Sequence, residues 1–202
     1  MEQSINSITL RGELLALPEF SHENHGRRFY RFYLTVPRLS GAVDTLPVIA
    51  EERLVESIDP SGGCMLTVKG QIRSHNYRVE GVRRLMIFVF AASVAAEDGE
   101  PVNEVVLQGP LCREPVYRRT PLGREICDVM LAVPRAFHRA DYLPGILWGR
   151  VAQDICDCPV GCRICIHGRL QSRTYQKCTE TGNETRTAYE ISALTAYICE
   201  DE

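Results

Sequence analysis

The chain has 202 residues and a formal net charge of −3, from 23 basic and 26 acidic side chains. This length exceeds that of one small barrel and suits two modules of about a hundred residues each. The apolar fraction of 45% and the charged fraction of 24% are ordinary for a globular protein with a packed core, and they exclude disorder on a large scale. The charge is not that of a generally basic nucleic-acid binder, so phosphate contacts require Lys and Arg gathered in one groove.

We also expect the chain to be neither a membrane protein nor a secreted protein. No apolar run approaches the roughly 18 residues that a membrane helix needs, and the first residues lack the features of a signal peptide. Nine cysteines cannot all pair within one chain, and a reducing compartment would keep them as thiols. We therefore expect a cytoplasmic protein without a disulfide framework.

Short strand-like runs separated by turn signals follow one another through the first half of the chain. They lie at residues 7–15, 29–36, 66–74 and 85–94. One segment per half has a helical pattern, at 51–58 and at 150–156, and each ends near a Pro and a Gly. Four or five strands with one helix before the fourth strand are typical of a small barrel.

A polar, turn-forming segment at 97–101 marks the boundary between two halves. It predicts a first domain at 1–98, a short linker at 99–102 and a second domain at 103–202. Because the linker is short, we expect the two domains to touch.

The two halves are an internal duplication. Gly12 and Gly109 lie 97 residues apart, as do Pro37 and Pro134. At this offset residues 6–53 align with 16 identical pairs in 48 positions, several-fold more than unrelated sequences give. Each half is thus one structural unit, and we call the halves the first and second repeats.

Four motifs of the second repeat carry a family resemblance. In chain order they lie at 103–109 (NEVVLQG), 114–123 (EPVYRRTPLG), 141–153 (DYLPGILWGRVAQ) and 168–175 (GRLQSRTY). In this order and at these intervals the second repeat resembles the bacterial single-stranded DNA-binding protein family along nearly its whole length. The resemblance implies an all-β chain of two tandem OB-fold barrels, each a five-stranded Greek key with one short helix.

The resemblance also implies a set of aromatic platforms on which bases stack. Flat rings suit a sequence-tolerant binder because every base has a face to stack on. In the second repeat the family positions are Phe137, Tyr142, Trp148 and Tyr175. In the first repeat three of them are replaced, by Ser40, Thr45 and Glu51, and only Tyr77 is kept.

Arginines at or beside the same motifs are the predicted phosphate contacts. They are Arg118, Arg135, Arg150 and Arg173 in the second repeat and Arg38, Arg53 and Arg73 in the first, with Arg139 and Arg169 as further candidates. The first repeat is expected to bind DNA weakly and electrostatically, or to serve mainly in assembly. Its segment 28–33 (RFYRFY) interleaves cations and rings in a way that can replace lost stacking, although strand alternation with some rings in the core is the favoured interpretation.

No constellation predicts catalysis or a metal. The cysteines at 156, 158, 162 and 165 have short spacings, but side chains three apart on a strand point to opposite faces, so free thiols are favoured over a structural zinc site. No phosphate loop, nucleophile elbow or paired-carboxylate motif is present. We expect no enzyme activity and no cofactor.

The function implied by the resemblance is sequence-independent binding and protection of single-stranded DNA in replication, recombination or repair, at the bacterial nucleoid. A homodimer would give four barrels, although a monomer stays open. The family's acidic tail is missing at 199–202, so recruitment of repair enzymes through it is not expected. Two alternatives remain: a primosome-type accessory protein that mainly holds protein partners, and an RNA-binding OB protein.

Overall fold

The structure is a computed structural model that describes residues 5–56, 58, 64–79, 81–179 and 182–199. Twelve strands dominate it, with two short helices, α1 at Glu52–Val55 and α2 at Gly149–Ile155. The strands are β1 Asn6–Leu14, β2 Glu19–Asn24, β3 Arg27–Pro37, β4 Val43–Glu51, β5 Met65–Val79, β6 Val82–Ala96, β7 Val102–Pro110, β8 Val116–Arg119, β9 Glu125–Arg135, β10 Arg139–Trp148, β11 Arg163–Thr179 and β12 Gly182–Ile198.

Strands β1, β3, β4, β5 and β6 close into the first barrel. Their pairs are antiparallel except that β4 and β6 run parallel at Val48 and Val89. The closing pair joins the end of β1 to β3, at Leu14 and Leu34. Alternation explains the core, because Ile8, Leu10 and Leu14 of β1 point inward and the intervening residues point outward.

Strands β7, β9, β10, β11 and β12 repeat the same arrangement as the second barrel. β10 and β12 run parallel, and a bridge between Leu111 and Leu131 closes the barrel. The prediction of two tandem five-stranded OB-fold barrels is confirmed. Among the described residues, no helix is long and apolar enough to cross a membrane.

Strands β2 and β8 add a sixth strand to each barrel; β2 lies outside the runs predicted for the first half, and β8 lies within the second-repeat motif at 114–123. Every residue of β2 and of β8 is exposed, so neither strand has the inward-facing apolar positions that mark a half-buried strand. Among the described residues, each pairs only with the strand that follows it and forms a hairpin, β2–β3 or β8–β9.

The two helices lie at their predicted places, between the third and fourth strands of each barrel. The second spans Gly149–Ile155 where the pattern predicted 150–156, and it buries Ala152 and Ile155. The first, Glu52–Val55, is shorter than the predicted 51–58, and residue 57 lies outside the described residues. It buries no side chain, so little tertiary packing extends it.

A bulge at one glycine kinks the long fourth strand of each barrel. The pairing register shifts between Lys69 and Gly70 in β5 and between His167 and Gly168 in β11. A Cβ on Gly168 would lie 2.2 Å from the Ser192 carbonyl oxygen, so the neighbouring backbone leaves room only for glycine. Before the bulge each strand pairs with the first strand of its own barrel, and after it Ser74 or Ser172 reaches an aspartate of the other barrel.

The barrels join edge to edge through β1 and β7, which pair in antiparallel fashion from Asn6–Leu107 to Arg11–Val102. Ile8 lies opposite Val105, its own equivalent in the second repeat. A pseudo-twofold axis therefore passes between these two residues, and the single twelve-stranded sheet is symmetric about it.

Two buried carboxylates, those of Asp44 and Asp141, make equivalent contacts between the barrels on the two sides of this axis. Asp44 accepts hydrogen bonds from the backbone N–H and hydroxyl of Ser172, at 2.7 and 3.1 Å. Its equivalent Asp141 accepts the backbone N–H of Ser74 at 2.7 Å. Each carboxylate also pairs with an arginine of its own barrel, Arg38 or Arg135.

The cysteines that have short spacings lie around the end of α2 and the start of β11. Cys162 precedes β11 and is half-buried, while Cys165 is buried on the strand. No three His, Cys, Asp or Glu side chains of the described residues are grouped so that they could hold a metal ion. Burial raises the pKa of the thiols of Cys127 and Cys158 to about 11.

We expect these two thiols to resist alkylation. A pKa near 11 leaves about a hundredfold less thiolate at pH 8 than the ordinary pKa does, and the thiolate is the nucleophile. Labelling with iodoacetamide should therefore be slow at pH 8 in the folded chain, faster as the pH rises towards 11, and fast in urea. Peptide mass spectrometry locates the label, and equal labelling of Cys127 at pH 8 with and without urea would contradict the expectation.

Candidate nucleic-acid interface

A groove with a volume of about 1070 Å³ runs across the outer side of the second barrel. Strands β8–β12 form most of its wall, and we call it the second-barrel groove. Arg38 and Ser40, from the turn between β3 and β4, complete one side. The groove is thus built on one repeat and finished by a hairpin of the other.

Trp148 supplies an aromatic wall of the second-barrel groove. It is the last residue of β10, stands directly before α2 and is half-buried. Its indole N–H donates to the Ser192 hydroxyl on β12 at 3.0 Å. That hydrogen bond restrains the indole in the wall of the groove, where it is available to a stacking partner.

Three of the predicted phosphate contacts line this groove, and each also contacts a carboxylate. Arg118 pairs with Asp128, and this hydrogen bond raises the pKa of Arg118. Arg173 lies 3.8 Å from Glu190 and 5.4 Å from the centre of the Tyr175 ring. Arg38 is held by the buried Asp44, and its phosphate role stays a prediction.

Three more arginines line the same groove with no carboxylate partner among the residues that the structure describes. They are Arg113, Arg124 and Arg169, and the Nε atom of Arg169 is buried without a hydrogen bond. Arg169 was a further candidate from the sequence, whereas Arg113 and Arg124 were missed. Of these two missed arginines, only Arg124 could have been found from the internal repeat, because it aligns with Arg27 at the tip of the first hairpin.

An equivalent groove with a volume of about 520 Å³ lies on the first barrel. Its wall comes from β2–β6, and we call it the first-barrel groove. Arg135 and Arg139, at the two ends of the β9–β10 turn, close one side just as Arg38 and Ser40 do in the other groove. The pseudo-twofold axis relates the two grooves.

The predicted second-repeat platforms divide between the two grooves. Trp148 lines the second-barrel groove, and Tyr175 lies beside its Arg173. Phe137 is 91% exposed and lies in the turn between Arg135 and Arg139, which line the first-barrel groove. Tyr142 follows on β10, and its backbone N–H donates to the Ser74 hydroxyl of that groove.

The remaining predicted residues lie as follows. Arg73 lines the first-barrel groove and pairs with Asp141. Tyr77 is exposed and lies four residues further along β5, on the same face of the strand as Arg73. Arg53 on α1 and Arg150 on α2 line neither groove among the described residues. Both are exposed, beside Glu51 and Asp154 respectively.

Comparison with known proteins gives concordant matches. A model of the "Single-strand binding protein family" matches residues 102–198. "Single-stranded DNA-binding protein B" of Bacillus subtilis is 35% identical over 81 residues, which are 37% of this chain and 72% of that protein. "Single-stranded DNA-binding protein" of Oceanobacillus iheyensis is 30% identical over 95 residues, which are 44% of this chain and 56% of that protein.

Among solved structures, the wild-type single-stranded DNA binding protein from Thermus aquaticus is similar over the whole chain. The TM-score is 0.80 at 21% identity, and the match covers 100% of this chain and 96% of that one. At this identity the likeness shows the fold, with both barrels in the same arrangement.

Proposed function

The chain belongs to the single-strand binding protein family, and from this membership we propose that it binds and protects single-stranded DNA, without regard to sequence, during replication, recombination or repair. The observation that carries the proposal is the second-barrel groove, which sets one half-buried tryptophan among six arginines. The activity is binding, with no chemical step.

The groove has the two properties that a sequence-tolerant strand binder needs. Stacking on Trp148 is open to every base and contributes about 1–3 kcal/mol per base. Six arginines against two carboxylates, Asp128 and Glu190, leave the lining strongly positive although the whole chain is acidic. Phosphates of a bound strand therefore meet cations along the groove, while the bases face the ring.

We further propose that the working unit is a twofold homodimer in the bacterial cytoplasm, associated with the nucleoid. Each chain contributes a domain at 1–98 and a domain at 103–202, joined by 99–102, so two chains bring four barrels together. Closed twofold symmetry is the commonest form of homo-oligomer. Arg53 and Arg150, outside both grooves, are proposed as phosphate contacts where the strand leaves a barrel.

The test is a titration with oligo-dT that follows the emission of Trp148, the one tryptophan of the chain. We expect quenching on binding, and an affinity that falls with salt at about −0.7 in log–log slope per phosphate contact, or about −4 if all six arginines engage. Light scattering in the same buffer gives the oligomer.

Two results would contradict the proposal. A slope near zero, or no quenching with oligo-dT of any length, would rule out strand binding in this groove. Competition with an RNA oligonucleotide of matched length tests the preference for DNA, and tighter binding of the RNA would support the RNA-binding alternative instead.

A further inference from the structure

The first-barrel groove is lined by rings where its counterpart is lined by cations. The His22 ring stacks on Phe29 with ring centres 4.9 Å apart and planes 11° from parallel. Phe29 in turn contacts Phe90, with ring centres 5.8 Å apart. Phe88 and Met86, two and four residues back along β6, extend the apolar lining.

Strand pairing shows that these rings are substitutions within one shared frame. Phe88 pairs with Arg73 as Glu190 pairs with Gln171, and Phe90 therefore stands where Ser192 stands in the second barrel. On the hairpin, His22 pairs with Phe29 as Arg118 pairs with Ile126. Three polar side chains of the second-barrel groove, Glu190, Ser192 and Arg118, are thus replaced in the first-barrel groove by the rings of Phe88, Phe90 and His22.

The rings replace a platform that the first repeat has lost. Glu51, at the position of Trp148, lies near Arg27 and Arg53 at 3.5 and 3.3 Å, and it does not line the groove. Phe29 is buried and backs the exposed His22, while Phe88 and Phe90 are half-buried and line the groove. In the second barrel the aromatic surface lies at the end of β10, whereas in the first barrel it lies on the β2–β3 hairpin and on β6.

The cations of this groove come from both barrels. Arg135 and Arg139 reach it from the second barrel, and Arg73 lies within it. Arg139 is exposed and has no carboxylate partner among the described residues, whereas Arg73 and Arg135 are tied to Asp141. Arg139 is therefore the cation most available to an incoming phosphate.

We propose that the first-barrel groove is a second site for unpaired bases, in which His22, Phe88 and Phe90 stack on the bases and Arg139 contacts phosphate. It rests on the proposed function, since the two grooves bind one strand. A face of rings with cations at its edge suits nucleobases on a phosphate backbone better than it suits an apolar peptide. The first repeat thus binds by stacking, not by charge alone.

The test compares the full chain with the double variant His22→Ala/Phe88→Ala. Oligo-dT of about 8 nucleotides fits within one OB fold, and oligo-dT of about 35 nucleotides is long enough to span two. Trp148 emission with the short strand reports the second-barrel groove alone, and we expect it unchanged. With the long strand, the double variant should bind at least about tenfold more weakly, because stacking and the linkage between sites are both lost.

The matched control is Phe20→Ala, which removes an exposed ring from the outer face of the same hairpin, where Phe20 packs on Tyr30. It should bind the long strand as the unmodified chain does. Equal affinities of the double variant and the unmodified chain for the long strand, with short-strand quenching intact, overturn the inference. Absence of Trp148 quenching in the unmodified chain instead overturns the proposed function.

A second variant places the probe in the groove itself. In Trp148→Tyr/Phe88→Trp the one tryptophan lies on β6, and its emission should quench on binding oligo-dT. Arg139→Gln in that background should lower the salt slope by about 0.7, the value of one phosphate contact. An unquenched tryptophan in a variant that still binds the strand overturns the inference.

Discussion

Replacing Asp141 by Ala should lower the free energy of unfolding by about 3–5 kcal/mol, the usual cost of removing one partner of a buried ion pair. The Asp141 side chain is fully buried and holds groups from both barrels. Its loss leaves Arg73 and Arg135 without their carboxylate, and the Ser74 N–H without its acceptor. Urea unfolding followed by Trp148 emission and by circular dichroism measures the change.

Asp154→Ala is the matched control, because Asp154 pairs with Arg150 on the exposed face of α2. Exposed pairs contribute about 0–1 kcal/mol, so this variant should unfold close to the unmodified chain. Asp44→Ala, the equivalent change on the other side of the axis, should behave like Asp141→Ala. A loss below about 1 kcal/mol in both aspartate variants would show that the carboxylates do not couple the barrels.

Replacing Trp148 by Ala should weaken oligo-dT binding by about fivefold to more than a hundredfold, which corresponds to the 1–3 kcal/mol of one stacked base. The ring is the largest flat surface of the second-barrel groove, and its indole N–H is fixed by Ser192. Because the substitution removes the intrinsic probe, the anisotropy of a labelled oligo-dT is the measurement. Thermal melting checks that the barrel is still folded.

Two variants sharpen this result. Trp148→Phe keeps a ring and should retain most of the affinity, and Glu51→Ala at the equivalent position of the first repeat should leave the affinity nearly unchanged. If Trp148→Ala binds as tightly as the unmodified chain while both barrels stay folded, the indole is a packing residue and stacking must reside elsewhere in the groove.

The two-barrel fold could be predicted from the sequence because the duplication repeats the residues that both barrels need for their structure. Arg38 and Asp44 recur as Arg135 and Asp141, and in each pair a partly exposed arginine holds a buried aspartate at the contact between the barrels. These arginines were predicted as phosphate contacts because they belong to family motifs. Their carboxylate pairs give an independent reason for the repeated residues, and their phosphate role stays a prediction.

The grooves themselves could not be predicted in full. Each is completed by a turn of the other barrel, and no linear pattern shows that Phe137 and Arg139 lie beside the first repeat. The offset between repeats also changes from 98 at Gly70 and Gly168 to 102 at their partners Ala91 and Ala193. A constant offset therefore misaligns β6 with β12 and hides the exchange of Glu190 and Ser192 for Phe88 and Phe90.

The pseudo-twofold axis between Ile8 and Val105 has a consequence for the direction of a bound strand. A symmetric pair of identical barrels presents the same surface twice in opposite senses, so the 5′ and 3′ ends of a strand are interchangeable on it. Here both barrels lie in one chain, and each position is free to differ from its equivalent. With rings in one groove and arginines in the other, the paired grooves have an orientation, and we expect a strand that crosses both to have a preferred polarity.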